Sequence, residues 1–108
     1  MSYRVVFSPE AEEQLAALYS YIAIAASPAI AARYTEAIVT YCEGLRAFPH
    51  RGTKRDDVRP GLRIISYRKR AVIAFAVDAE QVSIIGVFYG GQDYETILEN
   101  DPGDELEH

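Results

Sequence analysis

The sequence predicts an α+β domain with the element order β-α-α-β-β-β, an antiparallel sheet packed against a two-helix hairpin. Three observations carry this expectation. Apolar residues recur at helical spacing in two stretches, each opened by a Ser-Pro pair; the pattern then changes to three runs rich in Ile, Val, Phe and Tyr; and only short polar segments separate those runs.

Tyr3 to Phe7 is a β-prone run stopped by Ser8-Pro9, where Ser can cap a helix and Pro suits its first position. Glu10, Glu12 and Glu13 then occupy the first turn, where negative charge complements the helix dipole, and Leu15, Leu18, Tyr19 and Ile22 form an apolar stripe. Ser27-Pro28 repeats the start signal. Ile30, Tyr34, Ile38, Tyr41, Leu45 and Phe48 fall on one face of a second helix, expected to end before Pro49. His50 to Gly61 is polar and basic and contains Gly52, Pro60 and Gly61, which predicts an exposed loop. Leu62 to Tyr67, Ala71 to Val77 and Val82 to Phe88 follow as strands, joined by Arg68-Lys69-Arg70 and by Asp78-Ala79-Glu80-Gln81. Such short connections imply an antiparallel meander. The middle run is apolar at nearly every position, as suits a strand central in the sheet or covered on both sides. Gly90-Gly91 closes the sheet, and residues 93–99 are expected to add a turn or two of helix.

With 108 residues, 49% of them hydrophobic, the chain suffices for one modest core. The expected organisation is a single domain over residues 1–98 and an acidic tail over 99–108, of which Leu106-Glu107-His108 resembles the start of a vector-encoded histidine tag. No apolar stretch approaches the roughly 20 residues of a membrane span. Tyr3-Arg4-Val5-Val6-Phe7 lacks the layout of a secretory signal, so export is not expected. Cys42 is the single cysteine, which rules out an intramolecular disulfide and fits a reducing cytoplasm. Its place on the apolar helix face suggests a small buried hydrophobe rather than a reactive thiol.

The formal charge of −5 is unevenly distributed. Residues 99–108 carry five acids and no Lys or Arg, so residues 1–98 hold eleven charges of each sign. Residues 46–70 hold nine of the eleven basic residues against only Asp56 and Asp57, a local net charge of +7. Within that segment Arg51, Lys54, Arg55, Arg59 and Arg63 are the candidate binding residues, able to grip carboxylates through bidentate guanidinium contacts. The competing use of Arg55 is a local pair with Asp56 or Asp57. The helices are rich in Tyr, and Tyr21, beside the stripe of Leu18 and Ile22, is either a contact for a partner or a core edge; with Tyr89, at the end of the last strand, it joins the candidates for target or antitoxin binding. No cluster of Cys, His and carboxylates predicts a metal site and no glycine-rich phosphate loop precedes a helix, so neither metal nor cofactor is expected.

Four segments in order, Phe7-Ser8-Pro9-Glu10-Ala11, Phe48-Pro49-His50-Arg51-Gly52, Arg55 to Arg63 (RDDVRPGLR) and Val87-Phe88-Tyr89-Gly90-Gly91-Gln92-Asp93, resemble the successive signatures of toxins of the RelE/ParE superfamily, closest to ParE. The resemblance spans residues 3–98. It implies a bacterial type II toxin checked by a cognate antitoxin protein, with one of two activities. ParE-like members poison DNA gyrase, and RelE-like members cut messenger RNA in the ribosomal A site. A metal-free ribonuclease needs an acid, a base and cations. Under that alternative Tyr89, Arg63 and His50 are the catalytic candidates, although Tyr89 also suits an aromatic closing the core edge. The balanced charge of residues 1–98 gives little long-range steering toward RNA, which favours the gyrase inhibitor acting by protein binding. Direct nucleic-acid contact is then expected only for the ribonuclease alternative. A third reading is a non-toxic relic that binds its antitoxin. Reversing Arg59 and Arg63 together to Glu is expected to remove toxicity and leave the fold.

Overall fold

The computed structural model describes residues 3–92 and 94–99. Its elements are β1 (Arg4–Phe7), α1 (Pro9–Ala25), α2 (Pro28–Glu43), a single 3₁₀ turn (Gly44–Arg46), β2 (Thr53–Lys54), β3 (Leu62–Tyr67), β4 (Ala71–Val77), β5 (Gln81–Tyr89) and α3 (Tyr94–Glu99). Of the acidic tail expected over 99–108, Glu99 closes α3 and residues 100–108 lie outside the described residues.

Both long helices begin as the Ser-Pro pairs predict. Ser8 accepts a hydrogen bond from the Ala11 N–H at 3.0 Å and Ser27 from the Ile30 N–H at 3.1 Å, each satisfying an otherwise unpaired first-turn donor. The end of α2 differs from expectation. Gly44, a weak helix former, lies where the run was expected to continue, and the chain tightens into the 3₁₀ turn. Leu45 remains fully buried, but Phe48 leaves the expected face and is 66% exposed.

The sheet order is β1-β5-β4-β3-β2. β3, β4 and β5 form the expected antiparallel meander, with β4 central. The sheet is mixed rather than wholly antiparallel, because β1 pairs with β5 in parallel. The long connection that a parallel pairing requires runs through both helices and strands β2 to β4 before β5 returns beside β1. The loop expected over residues 50–61 also contains β2, two residues that pair with Ile64 and Arg63. Gly52 permits this approach: at φ +80° a Cβ there would strike the Ile64 carbonyl.

Alternation along the strands makes two apolar faces. On one, Tyr67, Ala71, Ile73, Phe75, Val82, Ile84 and Val87 pack with Ala11, Leu18, Ile38, Cys42 and Leu45 of the helical layer. On the other, Leu62, Ala74 and Phe88 pack with Leu98 of α3, which explains why β4 is apolar on both sides. Complete burial of a side chain such as Phe75, Ile38 or Leu62 contributes about 1.5–3 kcal/mol.

A bulge registers the helices on the sheet. Phe75 pairs with Ile84 and Ala74 with Gly86, leaving Ile85 as the extra residue of β5. The Ser8 hydroxyl donates to the Ile85 carbonyl at 3.0 Å, and the Gln14 side-chain oxygen accepts from the Val87 N–H at 2.6 Å. The start of α1 thereby satisfies backbone groups around the bulge.

Candidate functional site

The basic loop is held by its own arginines. Arg55 donates to both carboxylate oxygens of Asp57 at 2.9 and 2.8 Å and to the Tyr94 hydroxyl at 2.7 Å. It also pairs with Glu95 at 2.7 Å, so its guanidinium clasps the first turn of α3 to the loop. These hydrogen bonds raise the Arg55 pKa further above its ordinary value and lower that of Asp57 below the usual carboxylate range. Arg59 donates to the Leu98 carbonyl at 3.0 Å, near the other end of the same helix. Arg63 donates to the carbonyls of His50 at 2.9 Å and Arg51 at 3.2 Å. Between them the chain turns at Arg59-Pro60-Gly61-Leu62, closed by Leu62 N–H to Arg59 C=O at 3.0 Å with Gly61 at φ +81°. Pro followed by a positive-φ Gly is the signature of a type II turn.

Of the five cations proposed from sequence, Arg55, Arg59 and Arg63 thus brace the loop and α3. Arg51 and Lys54 are directed more toward solvent. The Arg51 guanidinium lies 5.9 Å from the centre of the Tyr41 ring, and Lys54 makes only a 3.8 Å exposed pair with Asp56. His50 is exposed and meets Tyr3 edge-on at 6.3 Å.

Tyr89 lies elsewhere. It pairs with Ala71, which pairs with Tyr67, so Tyr89 is level with a residue four positions along β3 from Arg63. Strand rise alone makes that offset about 13 Å. Tyr89, Arg63 and His50 therefore do not converge into an acid–base set.

What surrounds Tyr89 is a row of tyrosines, of which Tyr21 and Tyr34 flank the α1–α2 connection. Tyr21 and Tyr89 rings are 6.5 Å apart, Tyr34 and Tyr89 5.7 Å, Tyr34 and Tyr67 6.2 Å, and Tyr41 and Tyr67 5.0 Å. Tyr21 is 63% exposed and, with Ala17, Leu18, Tyr89, Gly90 and Gln92, lines an open groove of about 370 Å³. The predicted contacts Tyr21 and Tyr89 are therefore brought together.

Beside this row is the β3–β4 turn, which belongs to the basic segment but lies outside its five candidate binding residues. Arg68 and Lys69 adopt φ of 53° and 61°, the left-handed conformation that Gly or Asn fills most easily, at the centre of a turn closed by the Arg70 N–H to the Tyr67 C=O at 3.1 Å. The Arg68 guanidinium lies 5.4 Å from the centre of the Tyr67 ring. The Tyr34 hydroxyl is shielded from solvent and has no hydrogen-bond partner among the described residues. Burial is the main cause that pushes its pKa up, helped by Tyr89 and Tyr67 and opposed by Arg70 and Arg68. The sequence shows a three-residue connection, Arg68-Lys69-Arg70, between strong strands, but no Gly or Asn that would mark which positions take positive φ.

Cys42 is fully buried, and desolvation pushes its thiol pKa up to about 12, as suits a small core hydrophobe. Among the described residues no three His, Cys, Asp or Glu side chains gather as a metal-binding group, and no helix is long and apolar enough to cross a membrane.

A two-helix hairpin over this five-stranded sheet, with a short third helix behind it, is a RelE/ParE-like fold. A solved structure described as "Chromosomal ParDE TA system from P. aeruginosa" is similar over 82% of this chain and 97% of that chain, with a TM-score of 0.72 at 19% identity. Residues 5–94 match the family described as "ParE toxin of type II toxin-antitoxin system, parDE", and the chain belongs to that family. It is a ParE-type toxin of a type II toxin-antitoxin system. No curated protein matches it.

Proposed function

We propose that this toxin acts by binding and inhibiting DNA gyrase, and that a cognate antitoxin neutralises it by covering the same surface. The observation that carries the choice of target over RNA cleavage is the separation of Tyr89 from Arg63 and His50. Metal-free cleavage needs an acid and a base aimed at one phosphate, whereas Arg63 is engaged with two loop carbonyls and Tyr89 belongs to an aromatic groove. Partner contact falls instead to side chains that reach solvent: Tyr21 and Tyr89 at the groove, and Arg51 and Lys54 on the loop. Arg55, Arg59 and Arg63 contribute by fixing the loop and α3 in shape. Aromatic anchors beside exposed cations are the composition that protein interfaces favour.

The test is supercoiling by purified gyrase with and without the toxin, followed in the same tube by a check for trapped DNA cleavage. Inhibition with cleaved DNA is expected. Unaffected gyrase together with ribosome-dependent cleavage of messenger RNA would replace this reading with the ribonuclease one.

A further inference from the structure

Four cations gather where α2 meets the β3–β4 turn: Arg33, Arg68, Lys69 and Arg70. Among the described residues none of them is in an ion pair, whereas Lys54 and Arg55 are. Positive charge without a carboxylate partner is therefore dense at this corner, whereas on the loop only Arg51 and Arg63 share that state and Arg63 is engaged with two carbonyls. Arg68 and Lys69 also occupy the two left-handed turn positions, where Gly or Asn relieves strain. Bulky residues kept in strained backbone point to a use for their side chains.

Next to the turn is an open pocket of about 300 Å³ lined by Ile30, Arg33, Tyr34, Ala37, Tyr67 and Arg68. It has a guanidinium rim and an aromatic and aliphatic wall. Tyr34, whose shielded hydroxyl has no hydrogen-bond partner among the described residues, contributes to the same wall, and a tyrosine O–H is a donor at neutral pH. A buried hydroxyl without an acceptor is unfavourable, and a ligand oxygen would relieve it.

We propose that this corner binds a phosphate monoester. The Arg33 and Arg68 forks take phosphate oxygens, Tyr34 donates to one of them, and Lys69 and Arg70 balance the remaining charge. The organic part lies against the Tyr34 ring, Ile30 and Ala37. A dianion matches four unpaired cations better than a single carboxylate does. A polynucleotide is a poorer match, because residues 1–98 carry equal numbers of acids and bases and so give a long polyanion little net attraction. The proposal stands independently of the gyrase reading, since neither the ligand nor its assay involves that target.

Titration calorimetry of the full chain at low salt tests it, with adenosine monophosphate and inorganic phosphate as probes. Saturable one-to-one binding is expected, tighter for the nucleotide than for phosphate. Arg33→Ala and Arg68→Gly should each weaken nucleotide binding about tenfold or more, and Tyr34→Phe by roughly threefold. Arg68→Gly also removes turn strain, so this variant should fold at least as stably as the parent and its loss of binding cannot be ascribed to unfolding. Three results would overturn the proposal: no saturable binding of either probe, binding unchanged in both arginine variants, or an acidic peptide binding more tightly than the nucleotide.

Discussion

Gly86 follows the bulged residue Ile85 and has no room for a side chain. A Cβ there would lie 2.7 Å from the Phe88 ring and 3.2 Å from the Gln14 side-chain oxygen that accepts from Val87. Gly86→Ala must displace one of these neighbours, and overpacking of this kind costs about 1–3 kcal/mol. Urea unfolding should show a lower midpoint with an unchanged slope; an unchanged midpoint would mean that the Phe88 ring moves aside freely. Arg55 and Asp57 offer a second test at this scale. Asp57 has a folded pKa below its unfolded value near about 3.9. The stabilisation it gives is therefore present above that unfolded value and lost as pH falls through the lower folded one. Protection of α3 amides from exchange, corrected for the intrinsic rate at each pH, should fall selectively below about pH 4, and Arg55→Ala should lower the same protection several-fold at neutral pH. A uniform loss of protection across β4 and β5 in either case would show that the clasp is not local to α3.

At the scale of elements, the β3–β4 turn has exchanged stability for charge. Left-handed backbone costs an L-residue roughly 1–2 kcal/mol, and Arg68 and Lys69 both adopt it. Replacing the pair by Asn-Gly is predicted to stabilise the protein by about 1 kcal/mol or more in denaturant unfolding. Equal or lower stability would mean that Arg68 stacking on Tyr67 compensates for the strain. The same turn marks a limit of the sequence reading. Strands β3 to β5 and both capped helices were legible because their periodicity and Ser-Pro starts depend on neighbours within a few residues. The parallel pairing of β1 with β5 depends on contacts 77 residues apart and leaves no local signal. β2 was hidden for a similar reason: two polar residues become a strand only because Gly52 lets the chain approach Ile64.

At the scale of the whole molecule, the sheet divides the protein into two unequal sides, the helical hairpin over one apolar face and the short α3 over the other. The arginines of residues 55–63 connect the loop to that smaller side. Sequence marked them as a cluster but could not distinguish those facing inward, since a charge count carries no direction. Geometry changes what charge reversal should do. Arg59→Glu with Arg63→Glu removes donors to Leu98, His50 and Arg51 carbonyls and sets carboxylates against those oxygens. That double variant is now expected to lose stability together with toxicity. Arg51→Glu with Lys54→Glu changes side chains whose described contacts are only a cation–π approach and an exposed ion pair, together worth no more than about 1–2 kcal/mol. This second variant should keep its thermal midpoint within a few degrees while losing growth inhibition on expression without antitoxin. Full toxicity in a folded Arg51 and Lys54 double variant would remove the loop from the target-binding surface and leave the groove of Tyr21 and Tyr89 as the remaining candidate. A second double variant that unfolds would show instead that the 51–54 segment supports β3, as its pairing with Ile64 and Arg63 allows.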